Sequence, residues 1–439
     1  MRTSLRTTAI AAVAAAALLL TGCSSGTSGS SDGGSSSDQK VNLTYWAWAP
    51  NLDKVVAVWN KSHPKIHVTV NKQDGGDPAV TKLLTAIKAG SGAPDLMQVE
   101  YQKIPTLVAA NALTDLSKTS AEKLKSHFSS GVWNSVTLGG DALYSIPQDT
   151  GPMMFFYRQD IFKKLGLTAP TTWADYAKDA RIVHKADPKA YLGTFSSNDA
   201  GWFTGLAQQA GASWWSVKGD AWGVDIDSAA TKKVASYWGK LVQEGVIDNK
   251  PMYTPAWNTA LNNGTQVGWV SAVWAPGVLS GNAKDTSGKW AVAPLPQWNA
   301  SEPATGNWGG SSTGVTTQSK HVKQAVEFAT WLNTNKEAVK ELVKQTGIYP
   351  ADTAAAASAL TTPPDFFSNQ PDFYKVAAKV ASTVKPFTYG PNVNVAYSAY
   401  NDDFAKAAQA RTQAAFENAV TQMQKTTVAD LKKSGFTVK

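Results

Sequence analysis

Between residues 41 and 110 the spacing of apolar residues switches back and forth between the two-residue period of a strand and the 3.6-residue period of a helix. Residues 41–48 read as a strand, 52–62 as a helix with Leu52, Val55, Val56 and Trp59 on one face, and 65–70 as a second strand. Pro78 opens a helix running to residue 89, a short apolar strand covers 95–99, and 104–110 is helical again. This alternation predicts βαβ units, hence a parallel sheet covered by helices on both faces. In such sheets ligands sit beyond the carboxyl ends of the strands. Trp46 and Trp48 close the first strand on one face, and Glu100 and Tyr101 lie just past the third, so aromatics and a carboxylate are expected at one edge. The competing place for Trp46 and Trp48 is the core.

A second α/β region follows the Gly151-Pro152 break. Strands are expected over 153–157, 191–195, 266–270 and 290–293, and helices over 159–165, 173–183, 202–209 and 228–244, with Thr172 as an N-cap. The tail reads as helix over 322–344, broken near Thr334, and over 403–425, with an alanine-rich connector after Ala354. A chain of 439 residues exceeds what one core usually serves, so two lobes are expected.

Cys23 is the single cysteine, which excludes a disulfide framework and any cysteine-based zinc site. Residues 1–22 carry Arg2 and Arg6, an apolar run from Ala9 to Leu20, then Thr21 and Gly22, the pattern of an export signal. The quartet Leu20-Thr21-Gly22-Cys23 resembles the lipobox of bacterial lipoproteins, which implies lipidation of Cys23 and a place on the outer face of the cytoplasmic membrane. From Ser24 to Asp38 no large apolar residue occurs, so 23–39 is expected to be a flexible tether. The net charge of +8 is spread among interleaved acidic residues, which argues against nucleic acid. Seventeen tryptophans are an excess that serves either a core or a planar ligand. His63 and His67 are separated by Pro64 and make no metal pair, and no P-loop motif occurs.

Ten segments follow one another along the chain: 93–99 (APDLMQV), 107–116 (LVAANALTDL), 144–151 (YSIPQDTG), 156–162 (FYRQDIF), 165–167 (LGL), 170–173 (PTTW), 268–274 (GWVSAVW), 292–296 (VAPLP), Gly309-Gly310 and 347–350 (GIYP). In series they resemble the solute-binding proteins of ABC importers, in the sugar-binding, maltose-binding-protein-like family. The resemblance implies an α/β periplasmic-binding-protein-like fold, two lobes joined by a multi-strand hinge, and a ligand in the cleft between them. Its lobes would be residues 40–147 plus 305–353 and residues 148–304 plus 354–439. It implies a monomer that binds a sugar, closes, and delivers it to the permease, with no cofactor and no catalytic step.

A sugar offers C–H faces and hydroxyls, so aromatic rings and carboxylates are its expected partners. By motif position the candidates are Trp46, Glu100, Tyr101, Asp149, Trp202, Trp274, Trp308, Gly309 and Tyr349. Their competing roles are core packing for the tryptophans, an Asx turn for Asp149 and linker flexing for Gly309. Trp173 is read as structural. Many tryptophans suggest several ring subsites, hence a di- or oligosaccharide. A binder of a non-sugar solute and a secreted glycosidase using Glu100 and Asp149 are the alternatives.

Overall fold

The computed structural model describes residues 40–219 and 221–439, so Cys23, the export signal and the tether lie outside the described residues. Ten strands are described: β1 (Val41–Ala47), β2 (Ile66–Lys72), β3 (Leu96–Glu100), β4 (Ile146–Arg158), β5 (Trp215–Lys218), β6 (Ala221–Val224), β7 (Gly268–Ala272), β8 (Trp290–Pro294), β9 (Asn307–Val315) and β10 (Thr437–Val438). The main sheet runs β2-β1-β3-β9-β4-β7, with β8 also on β4. Only its first part is parallel: β1 pairs with β2 and β3 in parallel, whereas β9 is antiparallel to both β3 and β4. The parallel pairing expected of residues 41–110 is therefore present, within a sheet that is mixed as a whole. The βαβ pattern stops at residue 110, and β9 arrives from far along the chain to fill the next edge.

Two lobes follow from two separate apolar cores. One gathers Leu43, Tyr45, Trp59, Leu96, Leu107 and Ile146 with Val315, Phe328 and Leu332. The other gathers Phe155, Trp173, Trp202, Phe203, Trp238, Trp269 and Trp290 with Phe367, Tyr400 and Phe416. β4 and β9 serve both lobes: β4 pairs with β9 from Ile146 to Pro152, then continues between β7 and β8. A third crossing comes from residues 349–351, where Thr150 N donates to Tyr349 O and Ala351 N to Gln148 O, both at 3.0 Å.

Local chemistry explains most boundaries. Thr172 caps the helix Trp173–Ala186 in a reciprocal capping box with Asp175. The expected break at Thr334 is set by Asn335, which accepts from Glu337 N and Ala338 N and so begins a new helix, Lys336–Thr346. The tail differs from expectation. Helix begins ten residues earlier, at Val393–Ala410, turns at Arg411 and resumes under the Thr412 cap as Gln413–Lys433. Residues 191–195 form isolated bridges through Tyr191 and Thr194 rather than a strand, and the connector after Ala354 contains helices Thr353–Ala359 and Phe373–Ala381. Among the described residues no helix is long and apolar enough to cross a membrane.

The tryptophan excess is chiefly core. Trp59, Trp173, Trp202, Trp214, Trp215, Trp238, Trp257, Trp269 and Trp290 are each at most 2% exposed, so the raw count carries no information about ring subsites. Buried indoles still need acceptors, and Trp173 finds Gln209 Oε1 while Trp214 finds Thr231 Oγ1, each at 3.0 Å.

Candidate functional site

The first lobe presents its site residues where β3 ends. Glu100 is half-buried at that end, and the turn Tyr101–Lys103 follows it. Lys103 is buried; its Nζ lies 2.6 Å from Asp77 Oδ1 and also donates to Asn394 Oδ1 of the other lobe. The second lobe presents the start of helix Ala200–Gln209, capped by Asp199, whose carboxylate accepts from Trp202 N at 2.9 Å with the Trp308 indole nearby. Gly201 permits this approach, since a Cβ there would stand 3.2 Å from the Trp308 ring. Helix Val393–Ala410 contributes Asn394, Tyr397, Ser398 and Asn401, whose spacing puts them on one face.

These groups enclose a cavity of about 460 Å³ bounded by both lobes. Its walls are polar where hydroxyls would be met, with Glu100, Gln102, Asn198, Asp199, Asn394 and Asn401, and aromatic at Trp308, Tyr389 and Tyr397. Burial pushes the Glu100 carboxyl above its ordinary range, with the Lys103 charge partly offsetting the shift. Burial raises Asp199 to about 6, against the lowering effect of the N–H groups of Trp202, the Trp308 indole and Gly201. At neutral pH Asp199 is thus chiefly ionised and an acceptor. A second, larger cavity of about 760 Å³ lies at the hinge, lined by Val132, Ala356, Leu360, Tyr374 and Ala378 among others. Its lining is mostly apolar, with Lys375 the only charged side chain among the described residues, and suits a hydroxyl-rich ligand poorly.

Of the residues expected from sequence, Glu100, Trp308 and Gly309 line the smaller cavity. The others stand elsewhere. Trp46 is buried in the first lobe with Lys82 Nζ 4.4 Å from its ring centre. Trp202 is 1% exposed and donates to Val270 O, because its place on the helix turns it into the core. Tyr101 is buried and its hydroxyl donates to Asp149 O at 2.8 Å. Asp149 serves the hinge: it accepts from Ser311 N at 2.7 Å and from the Ser311 hydroxyl, in place of an Asx turn. Trp274 backs the wall, its indole donating to Trp308 O at 2.9 Å with the rings 4.6 Å apart. Tyr349 lines the larger, apolar cavity. His63 stacks on Trp59 with ring centres 3.5 Å apart, and no cluster of metal-ligating side chains occurs among the described residues.

The wall residues missed from sequence are Asp77, Gln102, Lys103, Asn198, Asp199, Tyr389, Asn394, Tyr397, Ser398 and Asn401. One signal was available. Asn394, Tyr397, Ser398 and Asn401 recur at helical spacing directly after Gly390-Pro391, a stripe of polar residues with one aromatic.

Comparison with known proteins agrees with this architecture. Residues 43–339 match the family described as bacterial extracellular solute-binding protein. The arabinooligosaccharide-binding protein of Bacillus subtilis is 24% identical over 404 residues, covering 88% of this chain and 89% of that one. The galacto-N-biose-/lacto-N-biose I-binding protein of an ABC transporter from Bifidobacterium longum, solved with lacto-N-biose, is 32% identical, with a TM-score of 0.79 over 93% of this chain and all of that one. A transporter-associated binding protein from B. animalis subsp. lactis, solved with β-1,6-galactobiose, is 28% identical, with a TM-score of 0.76 over 91% of this chain and 100% of that one.

Proposed function

We propose a ligand on the premise that this chain belongs to the bacterial extracellular solute-binding proteins: it captures a di- or oligosaccharide between its lobes and hands it to an ABC permease. The observation that carries this reading is the cavity of about 460 Å³, in which carboxylates and amides from both lobes face Trp308, Tyr389 and Tyr397. Rings accept the C–H faces of a sugar, and the acceptors and amides take its hydroxyls. A ligand touching both lobes favours the closed form by its differential affinity, so capture needs no covalent step. The relatives that bind arabinooligosaccharides, lacto-N-biose and β-1,6-galactobiose support the same chemical class.

We propose as lobe limits those read from the sequence, 40–147 plus 305–353 and 148–304 plus 354–439. The monomer, once lipidated at Cys23, would work tethered to the outer face of the membrane. A Cys23→Ser protein is expected to be released into the medium with its ligand affinity unchanged; if it stays on washed membranes, the anchor is wrong.

A thermal-shift panel of mono-, di- and oligosaccharides against polyamines and phosphate esters tests the ligand class. A ligand at 100 times its dissociation constant adds about 2.7 kcal/mol of stability. A rise in melting temperature with a saccharide is expected. A rise with another class alone overturns the reading, and release of cleaved product at enzymatic rates would turn it into a glycosidase.

A further inference from the structure

Tyr253 combines three features that its fold does not require. It is 43% exposed, the sole aromatic among the exposed large apolar residues described. Its φ is +65°, in the left-handed region, where a bulky side chain is an outlier. Its ring joins an aromatic group that reaches the cavity wall, with centres 5.4 Å from Trp257, 6.2 Å from Trp269 and 6.4 Å from Trp308. The other non-glycine residues with positive φ have local explanations: Asn51 precedes a helix, Asn111 follows one, and Leu138 and Arg411 terminate helices. Tyr253 instead sits in the turn between Pro251 and the cap residue Thr254, where glycine or asparagine would serve without strain.

Strain of this kind persists where a side chain is needed in one place. The aromatic neighbours support part of the ring and the rest meets solvent, and Asp199 is near enough to act on the phenol electrostatically. Asp199 and Trp308 both line the cavity, so Tyr253 is the next ring outward from its wall. A cavity of about 460 Å³ suits a ligand of about two sugar rings. A longer ligand must leave it.

We propose that Tyr253 is an outer subsite, an aromatic platform at the lip of the second lobe that stacks on the third ring of an oligosaccharide and so sets the length preferred. The inference rests on the saccharide reading above. Tyr253→Asn removes the ring and keeps a residue that tolerates positive φ, so the fold is preserved; Tyr253→Phe keeps the ring.

The test is calorimetric titration of the wild type and both variants with arabinooligosaccharides of two, three and four units and β-1,6-galactooligosaccharides of two and three units. Loss of the platform is expected to weaken binding of three-unit and longer ligands by about tenfold while two-unit ligands change by less than about twofold. Tyr253→Phe should behave as the wild type. If Tyr253→Asn shifts every length equally, or none, the outer subsite is overturned while saccharide binding stands. If the wild type binds no saccharide of either series, the subsite falls together with the reading beneath it.

Discussion

The Trp202 N–H donates to the carboxylate of Asp199, with the Gly201 N–H and the Trp308 indole also lowering its pKa, yet burial still holds it at about 6 against an ordinary 3.8. Between those two values the folded protein binds more proton than the unfolded chain, so this group favours folding at low pH and the advantage is lost as pH rises through 6. Asp199→Asn removes the charge and keeps a capping side chain. Its melting temperature is expected to exceed that of the wild type above pH 6, by at most about 3 kcal/mol of stability, with the gain fading below pH 4. The same variant should bind sugar more weakly, since a strong acceptor is lost. A stability difference that does not vary with pH would contradict this account.

At the scale of the element, the hinge is the most tightly specified part. Gln98 Oε1 accepts from Trp48 N and Ala49 N, while its amide donates to Gln148 Oε1 and Ser311 Oγ; the Gln148 amide in turn donates to Asn333 Oδ1. Gln98, Gln148, Ser311 and Asn333 are all buried, so each depends on the others for its hydrogen bonds. Gly310 closes this region: its φ is +105°, and a Cβ would stand 2.7 Å from the Tyr101 ring and 3.1 Å from Asp149 O. Gly310→Ala is therefore expected to cost about 2 kcal/mol or more in denaturant unfolding, and a neutral result would contradict the close approach.

The contrast between elements also shows what one sequence can and cannot reveal. Helices with caps, such as that of Thr172, are legible because the cap and the apolar stripe are local. β9 as the partner of both β3 and β4 is not, because its neighbours lie more than 150 positions away and nothing local sets the direction of pairing. Likewise the place of Glu100 at a strand end is local, and it lines the cavity. Trp202 was misplaced because an aromatic near a helix start can turn to either side, and only the second core, assembled from distant segments, decides which.

For the whole molecule, contacts that bridge the lobes beside the cavity are as informative as the cavity. Thr106 Oγ1 donates to Pro391 O at 2.9 Å, and Lys103 reaches Asn394 across the same gap. Thr106 does not line the cavity, so Thr106→Val removes one bridging hydrogen bond and leaves the ligand's walls unchanged. A net bond of about 1 kcal/mol corresponds to about a fivefold rise in the apparent dissociation constant if closure and binding are coupled. Solution scattering should show the unliganded variant at least as open as the wild type. An unchanged affinity would separate this contact from the capture step.

Trp308 concentrates the central claim, because it forms the aromatic wall beside Asp199 and rests against Trp274. The most direct measurement is calorimetric titration of di- and oligosaccharides into the wild type and Trp308→Ala, with thermal unfolding to verify that both are folded. One saccharide per wild-type molecule and a loss of at least about tenfold in the folded variant are expected. Equal affinity in the two proteins, or no saccharide binding by the wild type, would contradict the account.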